Sequence, residues 1–192
     1  MNIIKQKILV YLIKNLTHQR LQHSVQVAIL AEDIAYNYEK IDPNKVYLAA
    51  ILHDCAKCMS NTDLISFVNR YNLQIFDKDI IIKHCPNLLH SFVGSSIAKV
   101  KFQIQDEDIL NAIQFHSQGR KDMSTCEKII FISDFIAHKK NKLEILKLIN
   151  SAKDNLNLTF MNVLISKIKY NLRRHFYLSN QIIDTWNWYI QN

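Results

Sequence analysis

An all-α fold is predicted from three observations. Only two Gly and two Pro occur in 192 residues, too few for the tight turns of an all-β protein or for the Gly-rich phosphate loops common in α/β folds. Apolar residues recur at helical spacing along almost the whole chain. Apolar residues make up 48% of the sequence and charged residues 21%, with no low-complexity tract, so a packed core is expected and disorder is excluded as the main state. The length fits one domain spanning residues 1–192.

The elements are expected as follows, nine or ten helices in all. Ile4, Ile8, Tyr11 and Leu12 mark a first helix over Ile3–Leu16. His18–Tyr38 follows, with Leu21, Val25, Ala28, Leu30 and Ile34 inward. Asp42-Pro43 is a helix start, a carboxylate cap followed by Pro where its missing N–H costs nothing, and this helix runs to about Cys55. Ser60 caps the next, to about Tyr71, and Asn72–Ile82 holds at most one short helix. Pro86-Asn87 opens Leu88–Val100, and Asp106 caps Glu107–Phe115. Gly119 ends a loop segment, and Ser124 with Glu127 forms a capping box for Thr125–His138. A short helix over Leu143–Ile149, a long one over Asp154–His175 and a last one capped by Ser179 complete the chain.

The net charge is +7, and residues 139–192 hold nine Lys and Arg against three Asp and Glu. A polyanionic small ligand, a nucleic acid or a solvated tail each fits that bias. Ile, Lys and Asn supply 65 residues, a composition that an AT-rich genome alone can produce, and few aromatics interleave with the basic residues, which weakens a nucleic-acid reading. No apolar run reaches the ~18 residues of a membrane span, and Met1–Lys14 lacks a small-residue cleavage site, so a cytoplasmic protein is expected. Its four cysteines, Cys55, Cys58, Cys85 and Cys126, are then expected to be reduced, small buried thiols. A zinc site from Cys55, Cys58, His84 and Cys85 is the less favoured alternative.

His23, His53, Asp54, His90, His116 and Asp134 carry the chemical signal. Asp134 sits inside Ile129-Ile130-Phe131-Ile132-Ser133-Asp134-Phe135-Ile136, and His53-Asp54 ends Leu48-Ala49-Ala50-Ile51-Leu52. A carboxylate in such a run needs a cation or several donors. The other His candidates fall on separate helices, which is how helical proteins build a metal site in their core. A single His in an apolar helix is more often a hydrogen-bonded core residue, but four His and two Asp at inward places are not easily independent accidents. Neighbours on a helix diverge by ~100°, so His53 and Asp54 share a metal only if the helix frays there or if Asp54 bridges two ions. Mixed imidazole and carboxylate donors suit Fe, Mn or Zn rather than Ca or Mg.

His23, His53-Asp54-x-x-Lys57 and Asp134 together resemble the signature of HD-domain metal-dependent phosphohydrolases, an all-helical fold with its metal site in the core. Five local blocks resemble the bacterial YqeK family of symmetrical diadenosine tetraphosphate (Ap4A) hydrolases: Arg20-x-x-His23-Ser24-Val25, Ala50-Ile51-Leu52-His53-Asp54-x-Ala56-Lys57, Leu89-His90-x-x-x-Gly94, Ala112-Ile113-x-x-His116-Ser117-x-Gly119, and Met123 through Ile136. The resemblance covers residues 18–140, the motif-bearing core, and more weakly the helical extension at 141–192. It implies two metal ions, commonly iron, and cleavage of the central phosphoanhydride of Ap4A to two ADP. His23, His53, Asp54 and Asp134 would hold one ion, and Asp54 would bridge to a second held by His90 and His116. Lys57 would meet a phosphate, and Arg20 and Ser117 would contact the nucleotide. Asp54 and Lys57 are thus the expected catalytic residues.

The chemistry agrees with the ligand set. A bound divalent metal lowers the pKa of water from ~15.7 to about 7, and two ions hold a hydroxide and a phosphoryl oxygen together for in-line attack on a β-phosphorus, with ADP leaving. The family often shows Asp-x-Ile-Glu-Pro-x-Arg after the last ligand. Here the run is Asp134-Phe135-Ile136-Ala137-His138-Lys139-Lys140, so Lys140 replaces a guanidinium fork with a point charge. In the family the segment around Tyr177–Ile182 lies near the nucleoside. Two alternatives stay open: an HD phosphohydrolase acting on another nucleotide, and a non-catalytic basic scaffold or nucleic-acid-binding protein. The sequence leaves the oligomeric state open.

Overall fold

Residues 3–192 are described by a computed structural model. They form α1 (Ile3–Asn15), α2 (His18–Ala35), α3 (Pro43–Leu52), α4 (Asn61–Arg70), α5 (Lys78–His84), a 3₁₀ turn at Pro86–Leu88, α6 (Leu89–Phe102), α7 (Glu107–Phe115), α8 (Thr125–Ala137), α9 (Lys142–Asp154), α10 (Leu156–Arg173) and α11 (Asn180–Gln191), with no strand among the described residues. The caps read from sequence all form. Asp42, Ser60, Asp106 and Ser179 accept backbone N–H groups in the first turns of α3, α4, α7 and α11, and Ser124 with Glu127 closes the capping box of α8.

Several boundaries differ from expectation. The ambiguous stretch at 72–82 yields α5, which starts after Asp77 in a left-handed conformation (φ 55°) with no side-chain cap, so no local signal marks it. Helix α9 runs a full 13 residues from an Asn141 cap, and the long helix expected from Asp154 instead begins at Leu156. Asn155 breaks the two apart: it is extended (φ −145°, ψ 95°), and its side chain accepts from Leu158 N. Helix α3 stops at Leu52 rather than near Cys55, and residues 53–59 continue as turns.

Helix α8 is the centre of the molecule. Cys126, Ile129, Ile130, Phe131, Ile132, Ser133, Asp134 and Ile136 are all buried, and helices α2, α3, α7, α9 and α10 pack around it, as suits a helix that is apolar on nearly every side. Helix α2 presents small residues inward: Ser24, Val27, Ala28, Ala31 and Ala35 are buried, facing a partner, α3, whose Ala49 and Ala50 are also fully buried. Small side chains let these backbones approach closely. The expected inward Val25 is exposed, and Leu21 and Leu30 are half-buried, while Ala28 and Ile34 lie in the core as expected. The buried positions 24, 27, 28, 31, 34 and 35 form one stripe at helical spacing, and Leu21, Val25 and Leu30 lie beside or off it.

One buried carboxylate has a structural explanation. Glu127 is fully buried, takes a two-pronged contact from Arg120 (Nε–Oε1 2.7 Å, Nη2–Oε2 2.7 Å) and accepts from Ser124 N at 2.7 Å. These bonds tie down the loop between α7 and α8. Gly119 in that loop has φ +71°, and a Cβ there would come within 2.8 Å of Thr185 Cγ2 on α11. Only glycine allows both the backbone conformation and the close approach. The loop that follows His116 is therefore held from two sides.

Candidate metal centre

Five segments deliver the candidate ligands to one place. Helix α2 carries His23, the turn after α3 carries His53 and Asp54, α6 carries His90 in its first turn, His116 closes α7, and Asp134 lies on α8. The end of α3 solves the problem of the adjacent pair. From Leu52 onward the backbone bonds tighten to three-residue spacing, with Cys55 N donating to Leu52 O (3.0 Å), Lys57 N to Asp54 O (2.9 Å) and Met59 N to Ala56 O (3.1 Å). With three residues per turn, residues i and i+3 eclipse, so Lys57 returns to the side of Asp54, its Nζ 4.0 Å from Oδ1. Gly94, one turn past His90, lets α6 approach: a Cβ there would already touch Cys55 Sγ and Ile113 Cγ2 at 3.4 Å.

The six expected ligands converge, and Asp54 divides them. Its Oδ2 faces His53 Nε2 (3.6 Å) and His23 Nε2 (4.0 Å), while its Oδ1 faces His90 Nε2 (3.1 Å) and His116 Nε2 (3.5 Å). Asp134 Oδ1 joins the first set, at 3.2 Å from His23 Nε2 and 3.7 Å from His53 Nε2.

Backbone carbonyls set the orientation of three rings. His53 Nδ1 donates to Ala50 O and His116 Nδ1 to Ile113 O, each at 2.7 Å, and His90 Nδ1 donates to Asn87 O. Each ring thereby turns its Nε2 inward, toward Asp54. Burial, which opposes the charged form, pulls His53 and His90 down to about 4, so both are neutral at pH 7. Burial alone would raise Asp54 and Asp134. Both carboxyls nonetheless stay well below the usual range and are ionised at pH 7: the Lys167 ammonium holds Asp134, and around Asp54 a proton goes to the imidazoles, His53 foremost, before the carboxylate, whose charge those protonated rings then favour.

Lone pairs thus face lone pairs. His53 Nε2 and Asp54 Oδ1 are buried with no hydrogen-bond partner among the described residues, a condition that costs free energy unless a cation fills the gap. Three groups have their donor atoms within 4.8 Å of one another: His23, His53 and Asp54; Asp54, His90 and His116; and His23, Asp134 and His138. These mixed nitrogen and oxygen donors fit a divalent transition metal.

Two residues in the site were not singled out from sequence. His138 stacks on His23 with ring centroids 4.6 Å apart, and its Nε2 lies 3.4 Å from Asp134 Oδ1. Its position four residues after Asp134 on one helix was the available signal. Lys167 on α10 places Nζ 3.4 Å from Asp134 Oδ2, 3.1 Å from His116 O and 4.0 Å from the centroid of Phe131. Nothing local in the sequence marks it.

The expected nucleotide contacts are placed as follows. Arg20 Nη1 donates to Asp54 Oδ2 at 2.8 Å. Lys57 Nζ lies 3.2 Å from His90 Nε2. Ser117 Oγ donates to His116 Nε2 at 3.0 Å. Beside the metal cluster opens a cleft of about 860 Å³, lined by Ser117, Asp134 and His138 and by the cations Lys139, Lys167, Lys169 and Arg173. Lys140 is exposed and does not line it.

Among the described residues no cysteine joins a metal-holding group. Cys55 and Cys126 are buried, with thiols pushed up to about 12 by burial, whereas Cys58 is exposed and Cys85 half-buried, contrary to the expectation that all four are buried. The chain leaves the helix before Cys58 and carries it outward. Cys58→Ser is therefore expected to leave bound metal unchanged in elemental analysis, and loss of an equivalent of zinc would restore a thiolate site.

The HD domain family matches residues 20–157, a span that contains His23, the His53-Asp54 pair, His90, His116 and Asp134. The chain belongs to the HD-domain family. HD domains bind divalent metals, and this HD chain is a hydrolase by its family and relatives. It is 32% identical over 173 residues to the symmetrical bis(5'-nucleosyl)-tetraphosphatase of Halalkalibacterium halodurans, covering 90% of each chain. It is 27% identical over 177 residues to the protein of the same name from Bacillus subtilis, covering 92% of each. Its structure is similar, with a TM-score of 0.87, 33% identity and 97% coverage of each chain, to the crystal structure of a predicted HD superfamily hydrolase involved in NAD metabolism from Clostridium acetobutylicum. No helix among the described residues is long and apolar enough to cross a membrane.

Proposed function

We propose that this HD hydrolase cleaves Ap4A symmetrically to two ADP at a centre of two metal ions, iron, manganese or zinc. The division of Asp54 is the observation that carries this reading: one oxygen serves the His23, His53 and Asp134 set and the other serves His90 and His116. Bound there, the ions would supply a water of lowered pKa and positive charge for the phosphoryl oxygens.

The chain's own residues do the rest. Arg20 holds Asp54 in place through Oδ2. Lys57 lies at the edge of the Asp54, His90 and His116 set, where an ammonium neutralises charge growing on a phosphate oxygen. Lys167 fixes Asp134 and the His116 carbonyl from below. Ser117 is free to turn its hydroxyl to a phosphate once the lone pair of His116 is engaged elsewhere. The uneven charge of the sequence finds a use in the cleft: Lys139, Lys167, Lys169 and Arg173, four of the nine Lys and Arg after residue 138, line it beside the metal set. They suit a chain of phosphates, and Phe135 and Tyr170 offer rings to a base. The phosphate-gripping role that the resemblance gives Lys140 passes to these residues. The relatives' names support the same substrate.

Chromatography of products from Ap4A and metal-loaded protein tests the proposal. ADP as the sole nucleotide product is expected. ATP with AMP would mean cleavage at a different phosphoanhydride, and intact Ap4A alongside turnover of another nucleotide would favour the broader HD phosphohydrolase alternative.

A further inference from the structure

A second cavity, of about 660 Å³, shares no lining residue with the cationic cleft. It lies between α1, α4, α6 and the turn that carries His53 and Asp54. Its volume is in the range that takes small organic ligands. Three rings line it: Tyr11, Phe67 and Tyr71, the latter two with centroids 4.4 Å apart at 33°. Lys14 and Lys101 also line it and no carboxylate does. Neither lysine has an ion-pair partner among the described residues, and Lys101 Nζ rests 4.8 Å over the Tyr11 ring. The Tyr11 hydroxyl has no hydrogen-bond partner among the described residues, and burial with the neighbouring Cys55 pushes it up to about 12, so it remains a donor.

From this combination we infer a second small-molecule site, for an aromatic anion whose ring packs on Phe67, Tyr71 and Tyr11 and whose charged group meets Lys14 and Lys101. Aromatic faces and unpaired ammonium groups complement that chemistry on both counts, and a nucleoside 5'-phosphate has it. The turn at 53–59 joins this site to the metal centre. It gives His53, Asp54 and Lys57 to the metal side and Cys55, Cys58 and Met59 to the cavity. An occupant pressing on Cys55 and Met59 therefore bears on the segment that holds the bridging carboxylate.

The test is a fluorescence titration of the metal-loaded protein with 1-anilinonaphthalene-8-sulfonate, an aromatic body with one anionic group, followed by competition with AMP. Saturable binding at one site is expected. Lys14→Glu with Lys101→Glu should weaken it by at least about tenfold, since two charge-assisted contacts become repulsive. Lys169→Glu with Arg173→Glu, in the other cleft, should not. A thermal midpoint like the wild type's shows that each variant is folded. Iodoacetamide gives a readout that needs no variant: occupancy should slow alkylation of exposed Cys58 in proportion to the bound fraction. Displacement by AMP would identify a nucleotide ligand, and displacement only by phosphate-free aromatic anions would identify the same site with a different source. Absence of saturable binding, or binding unchanged by Lys14→Glu with Lys101→Glu and without protection of Cys58, overturns the inference.

Discussion

Replacing Asp54 with Asn is expected to lower kcat for Ap4A by at least ~10²-fold, the scale of losing a principal electrostatic contribution, and to remove one or both metal ions. The substitution keeps the shape and takes away the charge. Both oxygens of Asp54 are committed, Oδ2 toward His23 and His53 and Oδ1 toward His90 and His116, and an amide offers one acceptor oxygen and one NH2 group in their place. Both sets lose the negative charge, and whichever way the side chain flips one of them also meets an NH2 donor where it met an acceptor oxygen. Steady-state kinetics with elemental analysis checks this. Turnover and metal content near the wild-type values would show Asp54 to be structural.

A comparably large effect, on stability rather than turnover, is expected at Arg120. Glu127 is fully buried and its two oxygens take both prongs of Arg120 at 2.7 Å. Arg120→Ala leaves that carboxylate with Ser124 N as its remaining donor. Arg120 is 32% exposed, so water replaces part of its contact, and leaving the buried carboxylate short of a partner costs about 1–3 kcal/mol, which lowers the thermal midpoint by about 2–12 °C for a chain of this size. Denaturant unfolding of Arg120→Ala, with Arg120→Lys as a milder variant that keeps one contact, measures it. A loss within the ordinary range of a surface substitution, about 0.5 kcal/mol, would mean that the loop between α7 and α8 is held chiefly by Gly119 and α11.

Much of this was legible in the sequence because the signals are local. A cap is a single polar residue bonded two or three positions on, so Asp42, Ser60, Asp106, Ser124 and Ser179 announced their helices correctly. The candidate ligands stood out for a different reason: a carboxylate such as Asp134 cannot sit in an isoleucine-rich helix without a partner. The failures are of the opposite kind. Val25 was expected inside because it is apolar, but the buried stripe of α2 runs through Ser24, Val27, Ala28, Ala31, Ile34 and Ala35, and which stripe faces α3 and α8 is set by how the helices pack together. The helix expected to end at Ile149 carries on to Asp154, and the next starts only after Asn155, whose extended backbone and side-chain cap set the break later than the apolar spacing indicated. Lys167 reaches Asp134 from a helix 33 positions away, and Lys139 lines the cleft while Lys140 does not. Which of two adjacent lysines faces the cleft depends on where α8 ends, and the sequence does not fix that to one residue.

Metal stoichiometry separates a two-ion centre split across Asp54 from a site that holds one ion. Protein purified without chelator should approach two transition-metal ions per chain, and His90→Ala with His116→Ala should reduce that to one while His23, His53, Asp54 and Asp134 keep theirs. A single tightly held ion in the wild type, unaffected by removing His90 and His116, would contradict it.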